Sequence, residues 1–557
     1  TTLSQLLTLS IIGILFGFVI GIPSATTPIS STHLTVNNEG INSALKLVIP
    51  RVCQLLSIID LPSFHDTLHI PVIGDVQLDL TDMHIKEVSL GELTLKNEES
   101  ASNAFSVQLA ALNISLEDNW HYRESKFPHI EGHGTSTITV QGASALVQMQ
   151  MMTDENGKSF LWIAKPQDLT LELGDIHVEI HGGISGAITQ ALAKVFGNLM
   201  KPLIAGAIRD ALVKEVNVDL KDMLQSLGFT FPVDWSGFAP HAMEWNLKLT
   251  DNPIFGNTHA LFEIIGDWNI DDVPTPEPSF QPGKLPREPM HNDAMINVFM
   301  SDFVLGDFFW TAVKGNLLQW HITNDMVPPE SPYKLNTASL KYIFPQLYQK
   351  YNDSNLTMDV RVPSQPKIAV NSAGGLSAQL NATLEFHVIL ANQSTTPAFR
   401  LNTALSLQVD ALGLLNVEQG KALNITGHVN DLSIVVDVLE SWIGDIDVGY
   451  IQNQIKIIVT FGYLPKLNAQ LKEGINQKLP ETILGQLSLS NTELAFQDGF
   501  VDFATSFALK SDFLSKRHAS FTEEEKVRHQ IWRLEKELLK RQEELNHLVD
   551  SHKIPVL

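Results

Sequence analysis

Residues 76–95 read VQLDLTDMHIKEVSLGELTL, with apolar and polar side chains taking turns. Neighbouring side chains on a strand point to opposite faces, so a period of two predicts half-buried strands with one apolar side. The pattern returns at Phe105 to Leu116, Thr135 to Val140, Ala145 to Met151, Ser159 to Ala164 and Leu169 to Ile180. Together these runs predict a long antiparallel sheet that is apolar on one face.

The period changes on either side of that sheet. Ile41, Ala44, Leu45, Val48, Ile49, Val52, Leu55, Leu56 and Ile59 recur at helical spacing, which predicts a helix over 41–59 with one wide apolar face, kinked at Pro50. A second helical region is expected from about 184 to 227, where Ile188, Leu192, Val195, Leu199, Ile204 and Ile208 share a face, with a bend near Pro202. Residues 231–270 read as further strands. The segment VPTPEPSFQPGKLPREP, from Val273, then packs six prolines into seventeen residues and reads as a semi-rigid extended linker.

Beyond the linker the order repeats, with a helix near 301–314, strands through 337–439 and a long helix from about 449 to 479. Strands near 486–509 are expected to return to a sheet shared by both halves. Residues 522–548 are dense in Glu, Lys and Arg, with Ile531, Leu534, Leu538, Leu545 and Leu548 on a narrow stripe. This charged tail fits a short coiled coil or a solvated helix, and dimerisation through it is one alternative.

Length and composition agree with two large domains. A chain of 557 residues exceeds the roughly 250 to 300 at which single cores stop growing. Apolar residues make up 44% and charged residues 18%, so much apolar surface has to be hidden or occupied. The formal net charge of −24 argues against nucleic acid as a partner.

Residues 6–22 (LLTLSIIGILFGFVIGI) are almost wholly apolar and lead into small polar residues, as in a secretory signal peptide over 1–25, with an uncleaved anchor as the alternative. A secreted, extracellular protein is therefore expected. On that route the sequons at Asn113, Asn352, Asn355, Asn381, Asn392 and Asn424 are candidate glycan acceptors. Cys53 is the single cysteine, so no intramolecular disulfide forms and stability rests on core size.

Three strings invite chemistry and do not sustain it. HGGISG from His181 has the look of an oxyanion loop, yet Ala187 stands where the second glycine of a nucleophile elbow around Ser185 would be. His129, Glu131 and His133 lie in a Gly-rich turn before a strand, where two imidazoles four residues apart do not align on a metal as they do on a helix. Cys53, among apolar neighbours on the first helix, reads as a small core hydrophobe. No catalytic residue, metal or cofactor is expected.

Several strings resemble the family that includes bactericidal/permeability-increasing protein, lipopolysaccharide-binding protein and the phospholipid and cholesteryl ester transfer proteins. They are LPSFHDTLHIPVIGDVQLDLTDMHIKEVSL from Leu61, VDWSGFAPHAMEWNLKL from Val233, SDFVLGDFFWTAVKGNLLQWHITNDMVPPE from Ser301 and GYLPKLNAQLKEGINQKLP from Gly462. The resemblance spans about residues 34–510 and rests on the order of these strings.

It implies an α+β boomerang of two elongated barrels, each a highly curved antiparallel sheet wrapped around a long helix, joined by a central sheet. The implied division is a first barrel over 34–228, central strands over 229–272, the linker over 273–290, a second barrel with returning strands over 291–510 and the tail over 511–557. Two departures stand out. FLWIAKPQDLTLEL from Phe160 and GNLMKPLIAGAIRDAL from Gly197 lack the cysteines that usually tie the first barrel, and no basic cluster marks its tip.

The implied activity is non-covalent. Each buried CH₂ is worth about 0.8 kcal/mol, so a sixteen-carbon chain resists exposure to water by roughly 13 kcal/mol, and a carrier must replace the bilayer's environment. The expected ligand is a phospholipid or neutral lipid, taken up during transient contact with a membrane or lipoprotein surface. Candidate pocket-lining residues are Leu45, Val48, Val52, Leu56, Ile188, Leu192, Val195 and Leu199, for each of which ordinary core packing is the competing reading. Competing functions are recognition of lipopolysaccharide or another microbial glycolipid in defence, a lipid hydrolase for which no nucleophile is found, and an adhesive or assembly glycoprotein without ligand.

Overall fold

The computed structural model describes residues 29–57, 61, 63–70, 74–97, 103–124, 131–154, 159–182, 201–210, 212–221, 243–246, 248–270, 278, 280–327, 334–416, 422–457, 460–461, 464–473, 475–478 and 487–509. Its organising element is a six-stranded antiparallel sheet that draws on both ends of the chain. In spatial order the strands are Ile254–Phe255, His259–Ile264, Thr32–Asn37, Ile296–Ser301, Phe500–Leu509 and Leu487–Gln497. The chain leaves this sheet after Asn37 and returns at Ile254 to make a first lobe. It leaves again after Ser301 and returns at Leu487 to make a second, so the return expected near 486–509 is present.

The opening strand THLTVN alternates polar and apolar residues from His33 to Asn37, yet it is buried on both faces, so its polar face is enclosed as well. Ser31, Thr32, His33 and Thr35 are all buried. The proline-rich stretch helps to cover them. His33 Nδ1 lies 2.7 Å from the Pro286 carbonyl, Leu285 is buried, and Arg287 grips Glu263 with two hydrogen bonds of 2.9 and 2.8 Å. Just beyond, His291 Nε2 lies 2.8 Å from Asp502 Oδ2 on the returning strand.

The first lobe is an eight-stranded antiparallel sheet running Phe64–Ile70, Gly74–Ser89, Ala104–Glu124 and Glu131–Thr153. Glu92–Asn97 pairs with the third of these, and Ser159–Trp162, Leu169–Glu172 and Asp175–Gly182 pair with the fourth. Two sequence expectations merge here. The runs at 135–140 and 145–151 are one strand of 23 residues, continuous through Gly142 at φ +68°. Glu131 and His133 lie within that strand rather than in a turn, and His133 faces His121 across the ladder.

Register shifts between Thr81 and His84, and between Leu109 and Ile114, mark bulges, with Asp82 and Ala111 in the left-handed region at φ 55° and 53°. Such bulges bend and twist a sheet. Gly134 is required by close approach. A Cβ there would meet the His181 carbonyl oxygen at 2.1 Å and the Trp120 ring at 2.7 Å, and Trp120 itself donates Nε1–H to the Thr135 carbonyl.

The helix Asn38–Ser57 runs on through Pro50 and packs against the inner face of this sheet, as does the helical segment 201–210. The second lobe is a seven-stranded antiparallel sheet, ordered Gln319–Ile322, Leu356–Arg361, Gly375–Ile389, Thr395–Asn416, Ala422–Ser441 and Ile475–Lys478, with Lys367–Asn371 paired to Gly375–Ile389. The helix expected over 449–479 is helical at Val448–Ile457 and Leu464–Glu473 but does not reach 479, because Ile475–Lys478 is a short strand.

Helix Asp302–Lys314 stands where the shared sheet meets the second lobe. Ser301 caps it by accepting from Phe303 N–H, and Val304, Leu305, Phe308 and Ala312 are buried. Trp268 packs edge-on against Phe308 and stacks on Trp245, which locks the helix to a two-stranded sheet formed by Met243–Trp245 and Trp268–Ile270.

Candidate functional site

Alternation places a continuous apolar face inside each lobe. In the first lobe it comprises Val76, Leu78 and Leu80, then Leu112, Ile114, Leu116, Trp120 and Tyr122, then Ile138, Val140, Ala145 and Val147, all buried. Ile49, Cys53, Leu56, Ile204 and Ile208 close against it from the helices. Burial raises the Cys53 thiol's pKa, which keeps it protonated as the inert core hydrophobe expected of it.

Of the predicted lining, Leu45 is half-buried and Leu56 fully buried, and both join this one cluster. Val48 and Val52 lie on the same helix, with side chains outside the described ones. Ile188, Leu192, Val195 and Leu199 lie outside the described residues. The set passed over Ile176, Val178 and Ile180, half-buried on the edge strand Asp175–Gly182 and packed against the same cluster. Their period of two marks them in the sequence as one face of a strand, without showing that this face packs on the helices.

One carboxyl enters the apolar face. Asp118 is buried, Ser136 Oγ donates to its Oδ1 at 2.6 Å, and its Oδ2 has no hydrogen-bond partner among the described residues. Burial pushes this carboxyl above the usual carboxylate range.

The inner face of the second lobe is laid out in cross-strand rows. Leu380, Leu405 and Ile434 form one row, Ala378, Leu407 and Leu432 the next, and Leu384, Leu401 and Val438 another. Most of these side chains are only half-buried. The end remote from the shared sheet is closed by Phe344, Phe386 and Phe399, whose ring centroids lie 4.4–6.2 Å apart.

Helices are tied to these sheets by side-chain amides. Asn217 pairs with both backbone groups of Ile163 at 2.8 and 2.9 Å, and Asn468 does the same to Val429 at 2.8 Å on each side. Asn42 accepts from Leu95 N–H and Gln452 from Val436 N–H. Each clasp satisfies backbone groups in or beside the strands with a side-chain amide.

At the joint, burial pushes the Asp307 carboxyl up to about 7, against the opposing effect of Trp268 N–H, which donates to it at 2.7 Å. The group is buried on helix Asp302–Lys314, against the Trp268 backbone. Among the described residues no cluster of three His, Cys, Asp or Glu side chains is arranged to hold a metal ion, and no helix is long and apolar enough to cross a membrane.

Two lobes of curled sheet on a shared sheet is also what comparison with known proteins returns. Residues 40–227 match the N-terminal domain of the LBP / BPI / CETP family, and residues 245–509 match its C-terminal domain. The chain belongs to the LBP / BPI / CETP family. This is a family of lipid-binding proteins.

Among LBP / BPI / CETP relatives, a BPI/LBP family protein of Arabidopsis thaliana is 24% identical over 492 residues, covering 87% of this chain and 94% of the relative. A bactericidal permeability-increasing protein of Sebastes schlegelii is 23% identical, covering 85% and 94%, and the human lipopolysaccharide-binding protein is 23% identical, covering 84% and 91%. The crystal structure of a lipopolysaccharide binding protein superposes with a TM-score of 0.50 at 21% identity, over 86% of this chain and 99% of that one, which supports the fold.

Proposed function

We propose that this protein is a secreted carrier that takes up phospholipid or neutral lipid and shields its acyl chains inside its lobes, with a membrane or lipoprotein surface as the transient partner. One observation carries the reading. The inner rows of the second lobe are apolar from strand to strand yet only half-buried, so they gain from a further apolar occupant. Nothing in the scheme requires bond chemistry, and the residues that act do so by excluding water.

In the first lobe Leu45, Leu56 and the edge residues Ile176, Val178 and Ile180 are the proposed wall, with Val48, Val52, Ile188, Leu192, Val195 and Leu199 as its remaining candidates. The lobes are proposed to act as helix-lined barrels, and the tail to add at most a dimer contact.

Recognition of lipopolysaccharide is the second reading, favoured by the names of the relatives. Lipopolysaccharide is anionic, and the formal net charge of −24 works against it unless a local basic surface intervenes. The test is purification of the secreted chain followed by lipid mass spectrometry and a competition binding assay. Stoichiometric phospholipid or neutral lipid supports the carrier. Binding of lipopolysaccharide in preference to phosphatidylcholine vesicles selects the second reading, and a chain that takes up neither fits an assembly role.

A further inference from the structure

Three of the six sequons come together at one end of the second lobe. Strand Gly375–Ile389 begins beside the shared sheet, where Ser372 donates to Asp498 and Gly499 N–H donates to the Val370 carbonyl. It runs for 15 residues, so its far end lies roughly 45 Å away.

At that far end Leu356 pairs with Val388, and Ile389 N–H donates to the Asn355 carbonyl at 2.9 Å. The turn that follows is closed by Leu390 N–H to the Ser394 carbonyl, and Asn392 sits inside it. Asn352 lies three residues before Asn355 in the adjoining loop. All three side chains are exposed.

Their amides are chemically available. Asn392 uses Oδ1 to accept from the backbone and hydroxyl of Ser394, its own sequon residue, at 3.1 and 2.7 Å, which leaves Nδ2 open. Among the described residues the Nδ2 atoms of Asn352 and Asn355 donate no hydrogen bond. Asn113 is the contrast. Its Oδ1 accepts from Gly142 N–H at 2.9 Å and its Nδ2 faces Ser89 Oγ, so that amide helps hold the sheet.

The same end also exposes aromatic side chains, with Tyr342 72% and Trp442 39% exposed. Lys350, whose ammonium donates to the Trp442 carbonyl, ties these two segments together. Exposed Tyr and Trp would ordinarily suggest contact with a bilayer interface. A bulky, hydrated glycan beside them argues the opposite.

We propose that Asn392, together with Asn352 or Asn355 or both, carries N-linked glycans that cap the far end of the second lobe and hold it in water, so that membrane contact is made elsewhere on the molecule. The proposal rests on the secreted-carrier reading, because glycan addition requires entry into the secretory lumen.

The experiment uses the full chain secreted from a eukaryotic host. Glycopeptide mass spectrometry should find most copies modified at Asn392 and at Asn352 or Asn355. Peptide-N-glycosidase F should then strip these glycans equally fast from free protein and from protein bound to phosphatidylcholine/phosphatidylglycerol vesicles. Secreted, lipid-loaded protein with all three asparagines bare overturns the cap and leaves the carrier standing. Protection of the glycans by bound vesicles overturns the orientation, and would mean that this end meets the bilayer. A chain that never enters the medium overturns both readings.

Discussion

The two lobes hang from one shared sheet, and both hide an apolar face behind helices, yet they close to different degrees. In the first lobe the inner residues of three long strands are almost fully buried, with Leu78, Leu80 and Val140 at 0% exposure. In the second, the far end is sealed by three phenylalanines while the rows at Leu380, Leu384, Leu405, Leu407 and Ile434 remain half-buried. Equal sequence patterns have therefore produced one fully buried interior and one whose inner rows stay half-buried. The lesson is that a period of two specifies which face is dry but not how completely its neighbours fill it.

The largest test of this contrast is paired truncation. Leu80→Ala in the packed lobe should cost about 3 to 4 kcal/mol, because lost transfer energy and an unfilled cavity add, whereas Leu405→Ala in the half-buried row should cost about 1 kcal/mol. Urea unfolding monitored by circular dichroism measures both. Equal costs would show that the second interior is as tightly packed as the first.

The joint between the lobes should respond to pH. Asp307 has its folded pKa raised to about 7 from an ordinary 3.8, so the folded state holds a proton that the unfolded state loses first. Its contribution is intact below pH 3.8 and is lost progressively as pH rises to about 7, by at most about 4 kcal/mol. Asp307→Asn keeps an acceptor for Trp268 N–H and should stabilise the protein by about 2 kcal/mol at pH 8, with little effect at pH 4. Urea midpoints across that range would show a flatter profile for the variant than for the parent, and parallel profiles would discard the assignment.

A smaller change is expected in the second interior. Thr403 is buried and its Oγ1 has no hydrogen-bond partner among the described residues. Thr403→Val keeps the volume and should raise stability by about 1 kcal/mol. A loss of stability instead would mean that the hydroxyl has a partner.

The smallest effect lies on the outer faces, where the lobes match each other. Asp79 bridges His65 and His121 at 2.8 and 3.4 Å, and Asp359 bridges His321 and His387 at 2.6 and 3.2 Å. The hydrogen bond from His65, helped by His121, holds the Asp79 carboxyl below the usual range. Its stabilising share is thus present above the unfolded value and lost as pH falls through the folded one. All four groups of the two closest pairs are well exposed, so Asp79→Asn should cost under about 0.5 kcal/mol at pH 5.5, and scarcely more at low salt. A cost above 1 kcal/mol would show that solvent does not screen the bridge.

Periodicity alone fixed a good deal. The half-buried strands from Val76 onward, the helix ending at Ser57, the helix beginning at Asp302 and the return of the last hairpin were all legible, because each turns one continuous apolar face to a core and local period records that face. Cys53 was legible as a core residue for the same reason. The lining of the interior was less so. Leu45 and Leu56 share a face in the sequence, but the edge residues Ile176, Val178 and Ile180 join them only because a bulged sheet curls that strand toward the helices.

Three features were decided by tertiary structure. The strand Thr32–Asn37 alternates polar and apolar residues from His33 to Asn37, as a half-buried strand would, yet neighbours bury both of its faces, and His33 and Asn37 find side-chain partners more than two hundred residues away. The long helix expected over 449–479 gives way to the strand Ile475–Lys478, because pairing with Ala422–Ile425 satisfies that backbone. The ionisation of Asp307 likewise depends on desolvation by groups far away in the sequence, which local spacing does not encode.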